Sequence, residues 1–212
     1  MTEARRVALV TGGARGPGAE AVRLLAASGH AVAIHCHASL PEARALAEEL
    51  AASGTPTLAV TADLREEGAV RALVHRVADH FGRLDVVVAC AARRRPGSLE
   101  ELTGADLRAH YEVNVIGTFV VAQEAAAVMS AQENGGVILA VADAAAPRPD
   151  ELAYATSQAA IPALMESLDV ACRSRHPRVR AACLTTPSPP PPPADLASML
   201  VARIDELRSG SR

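Results

Sequence analysis

Short apolar runs alternate with longer amphipathic stretches along most of the chain. Runs near 6–11, 31–35, 57–60, 84–90, 136–142 and 178–184 are rich in Val, Ile, Leu and Ala and have the length of strands buried on both faces. Between and after them, helical spacing recurs near 17–28, 41–53, 66–81, 104–132, 151–174 and 194–208. Strand and helix in strict alternation predict parallel β-α units rather than a sandwich or a bundle. Joined by right-handed crossovers, six such strands give an open, doubly wound α/β sheet of Rossmann type, order 3-2-1-4-5-6, with helices on both faces. A ligand of such a sheet binds beyond the carboxyl ends of its strands, where the first and fourth diverge.

Two proline features modify this pattern. Pro162 falls inside a helical stretch and predicts a bend or a break there. The run Thr185-Thr-Pro-Ser-Pro-Pro-Pro-Pro-Pro193 fits neither helix nor central strand and predicts an extended polyproline II segment. It reads as a stiff spacer or as a docking ligand for an aromatic groove. The expected organisation is a dinucleotide-binding unit over 1–186, a linker over 187–193 and a final helix over 194–212.

The turn between the first strand and helix carries the main chemical signal. Val7-Ala-Leu-Val-Thr-Gly-Gly-Ala-Arg-Gly-Pro-Gly18 drives an apolar strand into a glycine-rich reversal and then an Ala-rich helix. Gly12, Gly16 and Gly18 suit a sharp turn, the approach of a phosphate to bare backbone, and close packing of helix on strand. The helix that follows offers unpaired N–H groups and the positive end of its dipole to a pyrophosphate. Pro17 costs it no hydrogen bond in the first turn.

Composition narrows the picture. The 212 residues are 50% hydrophobic, enough for a full core, and only 2% aromatic with no Trp, so that core is built from Ala, Val and Leu. A net charge of −3 carries no electrostatic footprint for nucleic acid or an anionic membrane. The run Arg93-Arg94-Arg95 reads as a solvated loop. No apolar run approaches a membrane span, and none resembles a signal region, which predicts a soluble, cytoplasmic protein. Cys36, Cys90, Cys172 and Cys183 are widely spaced and never form C-x-x-C, as expected of unpaired thiols in a reducing compartment.

Several polar residues fall at strand ends. The second strand finishes in Ile34-His-Cys-His-Ala-Ser39, with no acid to hold a ribose hydroxyl. His35, His37 and Ser39 offer donors there, and Arg15 adds a cation, so NADP(H) is favoured over NAD(H). His-x-His could also be a metal pair, but it lacks neighbouring ligands and no metal site is assigned. Asp63 and Leu64 follow the third strand, where the acid could accept from an adenine amino group and the leucine cover the ring; Asp63 fits a helix cap equally well. Small residues around Ala91 at the end of the fourth strand let a cofactor lie against backbone. Asn114 is a polar residue among apolar helical neighbours, fit for a hydrogen-bonding relay or a kink. Asp143 ends the fifth strand. Tyr154 and Gln158, four residues apart, share a helix face, and the tyrosine is a candidate proton donor for carbonyl reduction.

Taken together these motifs resemble the short-chain dehydrogenase/reductase family from Val7 to about Thr186, and the His35 to Ser39 segment is similar to its pteridine-reductase branch. The resemblance implies a catalytic Asn, Ser, Tyr and Lys. Asn114 and Tyr154 match it, Gln158 stands at the Lys position, and Asp143 aligns with the Ser position. The family's Asn-Asn-Ala-Gly reads Ala89-Cys-Ala-Ala92, its last strand is absent, and prolines replace the substrate-covering segment. Without the lysine charge, Tyr154 is expected near its ordinary pKa of about 10, so deprotonation at pH 7 would cost roughly 4 kcal/mol. The expected function is NADP(H)-dependent reduction of a carbonyl or related double bond in a small molecule. The alternatives are a non-catalytic relative that binds nucleotide or pairs with an active subunit, and a scaffold presenting its proline run. The resemblance further implies a homodimer or homotetramer built on the helices carrying Asn114 and Tyr154.

Overall fold

In the computed structural model, which describes residues 5–143, 148–187 and 191–210, six parallel strands form one sheet of order β3-β2-β1-β4-β5-β6. The strands are β1 (Val7–Thr11), β2 (Ala31–Cys36), β3 (Thr57–Thr61), β4 (Val86–Ala89), β5 (Gly136–Asp143) and β6 (Val179–Thr186). Between and after them run α1 (Gly16–Ala27), α2 (Leu40–Ala52), α3 (Glu67–Phe81), α4 (Gly104–Tyr111), α5 (Thr118–Ser130), α6 (Leu152–Arg175) and α7 (Pro193–Ser209). The register sets Thr11 of β1 between His35 of β2 and Ala89 of β4, so the carboxyl ends of the three strands meet at one place.

The apolar strands are buried on both faces because helices cover each side. On one face Leu9, Val87 and Ile138 pack with Val74 of α3, Val121 of α5 and Met165 of α6. On the other, Val10, Ile34 and Val88 pack with Leu25 of α1, Leu46 of α2 and Leu200 of α7. With so few aromatic residues, small side chains fill this space by letting helices approach the sheet closely.

The long helical stretch beginning at Gly104 is subdivided. A capping box starts α4, Thr103 Oγ1 accepting from the Asp106 N–H at 3.2 Å and Asp106 Oδ2 accepting from the Thr103 N–H at 3.1 Å. A π-helical turn over Glu112–Gly117 then separates α4 from α5, and Asn114 lies within it. Over Gly104–Ser130, 27 residues, the helix is long and apolar enough to cross a membrane, which corrects the expectation that no stretch approaches that length. Here its apolar residues Val120, Val121, Ala125 and Met129 are buried against the sheet.

Pro162 does not interrupt its helix. α6 runs unbroken from Leu152 to Arg175 with the proline half-buried inside it, because packing of Ile161 and Met165 on the core outweighs one missing hydrogen bond. Of the proline run, Ser188 to Pro190 lie outside the described residues; Pro192 has polyproline-like angles, φ −49° and ψ 145°, and Pro193 opens α7.

Candidate active site

The turn after β1 brings backbone close to backbone. A Cβ on Gly12 would lie 2.8 Å from Ala91 Cα, and one on Gly18 would lie 2.2 Å from the Gly12 carbonyl oxygen. Gly12 and Gly16 adopt φ of +67° and +55°, the left-handed region where glycine is favoured. Thr11 Oγ1 accepts the Ala91 N–H at 3.3 Å and ties this turn to the end of β4.

Beyond the strand ends opens a cleft of about 450 Å³. Gly12, Arg15, His35, His37, Ser39, Asp63, Leu64 and Ala91 all line it, so these cofactor-side residues converge, whereas Gly16 and Gly18 support the turn behind it. Arg65 and Arg93 line it as well, giving three guanidiniums against the one carboxylate of Asp63. Arg15 donates to the Ser39 hydroxyl. Asp63 is gripped by Arg65, whose Nη2 lies 2.5 Å from Oδ2, and His37 Nε2 stands 3.6 Å away. The Arg65 hydrogen bonds, against the opposing effect of burial, hold the Asp63 carboxyl down at about 2. Leu64 is buried and packs on Gly117, where a Cβ would approach it to 2.8 Å.

His35 differs from expectation. Its Nε2 donates to the Ala62 carbonyl at 3.1 Å, which leaves Nδ1 as an acceptor, and burial pushes the ring toward its neutral form. His35 therefore cannot present a donor at Nδ1. That atom and Arg93 Nε are buried without a hydrogen-bond partner, and both residues line the cleft. Unpaired polar atoms of this kind, together with the close glycine turn, fit a dinucleotide. Among the described residues no group of three or more His, Cys, Asp or Glu side chains could hold a metal ion.

The second cluster sits at the end of β5. Tyr154, in the first turn of α6, donates its hydroxyl to Asp143 Oδ2 at 3.3 Å. Gln158 Oε1 accepts the Asp143 N–H at 3.0 Å, and Asp143 Oδ1 is buried without a partner. Burial, with the Asp143 charge behind it, pushes the Tyr154 hydroxyl up to about 12. The expectation of a value near 10 is corrected; no local pattern in the sequence places this carboxylate at the hydroxyl.

Asn114 makes a different set of contacts. Its Oδ1 accepts the Arg93 N–H at 2.6 Å, and its Nδ2 donates to the Arg93 carbonyl at 3.0 Å and to Ser157 Oγ at 2.8 Å. It ties the loop after β4 to α6 without bonding Tyr154, Asp143 or Gln158. Ser157, fully buried, was not singled out by its sequence context.

The arginine run lies in a loop where Arg94 and Arg95 are exposed, as expected, but it is also tied to the site. Arg93 and Arg95 bond through their backbone to Asn114 and His110. The Arg94 guanidinium lies 4.9 Å from the Tyr154 ring centroid and 2.6 Å from Glu151 Oε1. Acidic partners 49 and 57 positions along the chain hold the Arg94 side chain, and no local pattern announces them.

A parallel sheet of this order, with a glycine turn and cleft at its switch point, defines a dinucleotide-binding α/β protein of Rossmann type. The short chain dehydrogenase family model matches residues 6–188, and the chain belongs to that family of oxidoreductases. Versicolorin reductase 1 of Dothistroma septosporum is 34% identical over 158 residues, 74% of this chain and 59% of that protein. Oxidoreductase UcpA of Escherichia coli K12 is 33% identical over 180 residues, covering 84% of this chain and 68% of its own length. A short chain dehydrogenase of Burkholderia cenocepacia, solved in complex with NADP, superposes with a TM-score of 0.86 at 30% identity, over 95% of this chain and 91% of that one. A metagenomic short-chain oxidoreductase, also in complex with NADP, gives 0.86 at 28% identity over 94% and 90%.

Proposed function

We propose that the protein is an NADP(H)-dependent reductase of a carbonyl or related double bond in a small molecule, with Tyr154 as its proton donor. The observation that carries this reading is the cleft itself: Arg15, Arg65 and Arg93 face it together with His37 and Ser39, and its one carboxylate is already neutralised by Arg65. Such a lining favours a 2′-phosphate over a bare ribose. NADP in two similar structures supports it.

When bound, NADPH would supply hydride to the substrate carbon. Gly12, Arg15, His37, Ser39, Asp63, Leu64 and Ala91 would hold it, with Gly16 and Gly18 shaping the turn. Tyr154 gives its proton to the substrate oxygen: the phenolic O–H bond breaks and a new O–H bond forms. A neutral tyrosine is a weak acid but a donor at every physiological pH. Asn114 keeps the loop after β4 on α6, and Gln158 holds the backbone of Asp143. The carboxylate of Asp143 opposes negative charge forming nearby, which favours reduction of an acceptor that needs little oxyanion support.

A second reading has its own observation. Tyr154 is already bonded to Asp143 and covered by Arg94, an arrangement that suits a relative binding nucleotide without turnover. NADPH and NADH titrations, followed by cofactor fluorescence in a chain without Trp, test the cleft; tighter binding of NADPH is expected. NADPH consumption across a carbonyl panel, lost in Tyr154→Phe, separates the two readings, and activity that survives that change refutes the donor assignment.

Partly exposed Ile116, Phe119 and Leu152 on the helices carrying Asn114 and Tyr154 support a homodimer or homotetramer. The four cysteines are free thiols, in keeping with a cytoplasmic setting. Residues 1–186 would then be the catalytic unit, with 187–193 a linker to the last helix.

A further inference from the structure

Gln158 carries no charge, yet a charge does reach the tyrosine from another element. Arg94 comes from the loop after β4 and lays its guanidinium carbon 4.9 Å from the Tyr154 ring centroid. Its Nε donates to Glu151 Oε1 at 2.8 Å, and its Nη1 stands 3.9 Å from Asp143 Oδ2. Glu151 is buried just before α6 and is gripped a second time by Arg148 at 3.3 Å. The guanidinium is thus held by an acid on either side and by the aromatic face.

We propose that Arg94 is a positioning residue for the proton-donating tyrosine, supplying across the ring the positive charge that position 158 lacks. Its catalytic meaning rests on the reductase reading above; the coupling between the two side chains does not.

The physical case follows from charge. A guanidinium is planar, always protonated and well matched to an aromatic face. As Tyr154 gives up its proton, the electron pair stays on the phenolate and the ring becomes more negative, so its attraction to Arg94 grows. Three charged groups face this tyrosine: Arg94 from the loop after β4, Asp143 from β5, and Glu151 from the start of α6. Arg148 is held off by Glu151. Burial, Asp143 and Glu151 all oppose ionisation of Tyr154, and Arg94 alone among these favours it.

The chain has two tyrosines and no Trp, so tyrosinate absorbance is readable residue by residue. Stopped-flow jumps to alkaline pH, read before unfolding and corrected with Tyr154→Phe, isolate the ionisation of Tyr154. At pH 12 about half of Tyr154 should be ionised in the natural chain and about one tenth in Arg94→Met, a change of about tenfold in the ionisation constant. Arg94→Gln, which keeps hydrogen-bonding groups but not the charge, should shift the titration as far as Arg94→Met. A titration that Arg94→Met leaves unmoved overturns the proposal, as does one that Arg94→Gln leaves at its natural position. NADPH consumption with the carbonyl panel is read alongside. A shifted titration with no carbonyl reduced by any variant ends the reductase reading and keeps the coupling. An unmoved titration in a chain that does reduce carbonyls ends the Arg94 proposal alone.

Discussion

The glycines of the first turn separate two physical demands that a sequence motif merges. Gly16 has φ of +55° and no atom within 4 Å of where a Cβ would stand, so alanine there meets conformational strain alone. That costs about 1–2 kcal/mol. Gly18 is not in the left-handed region, but its Cβ would stand 2.2 Å from the Gly12 carbonyl oxygen, so alanine there meets overlap alone. Gly12 carries both burdens, φ of +67° and a Cβ 2.8 Å from Ala91 Cα. Overlap with backbone adds about 1–3 kcal/mol when neighbours must shift. Gly12→Ala is therefore expected to cost about 2–5 kcal/mol and Gly16→Ala about 1–2, against a typical domain stability of about 5–15. Urea unfolding followed by circular dichroism measures both, with an unchanged slope expected. NADPH affinity should fall furthest in Gly12→Ala, because Ala91 and the cleft wall move with the turn. If Gly16→Ala destabilises as much as Gly12→Ala, contact with Ala91 is not what distinguishes the two positions, and the reasoning fails.

Two further outcomes follow from buried polar groups. Asn114→Ala should cost about 2–3 kcal/mol in urea unfolding, since it strips partners from the Arg93 backbone and from buried Ser157; a loss under about 0.5 would contradict a structural tie. His30 and His35 are both held neutral by burial, their folded pKa values lying below the ordinary 6.5. Their contribution is fully present above that value and is lost as pH falls below it, because the unfolded chain then binds the extra protons. The urea midpoint should drop between pH 7.5 and 5.5, and a His30→Gln/His35→Gln chain should show a flatter profile; an equally steep one would remove these histidines as the cause.

Much of the fold was legible because it is local. Six apolar runs lie within two residues of the six strands. The cofactor side was legible for a related reason: the glycine turn and the strand ends are contiguous in sequence, and parallel topology brings all strand ends to one edge. What misled was the reading of polar side chains one at a time. His35 looks like a donor until β3 offers it the Ala62 carbonyl, and Pro162 looks like a break until the core packs on either side of it.

The tyrosine cluster shows why such readings fail at a site in particular. Tyr154, Asp143, Glu151 and Arg94 come from three elements, and the meaning of each depends on the other three. Read alone, Gln158 in place of lysine leaves Tyr154 neutral and otherwise ordinary. Asp143 at 3.3 Å then makes the hydroxyl harder to ionise, and Arg94 at 4.9 Å works against that. Each of the two charges would be costly beside a buried phenol without its opposite. Asp143 and Arg94 are therefore best understood as a pair: the acid at the end of β5 is tolerable because an arginine reaches it, and the arginine has a place to rest because the acid and Glu151 hold it. Changing Gln158 to lysine would add a second cation to a cluster already served by Arg94, so restoring the family residue alone does not restore the family's electrostatics.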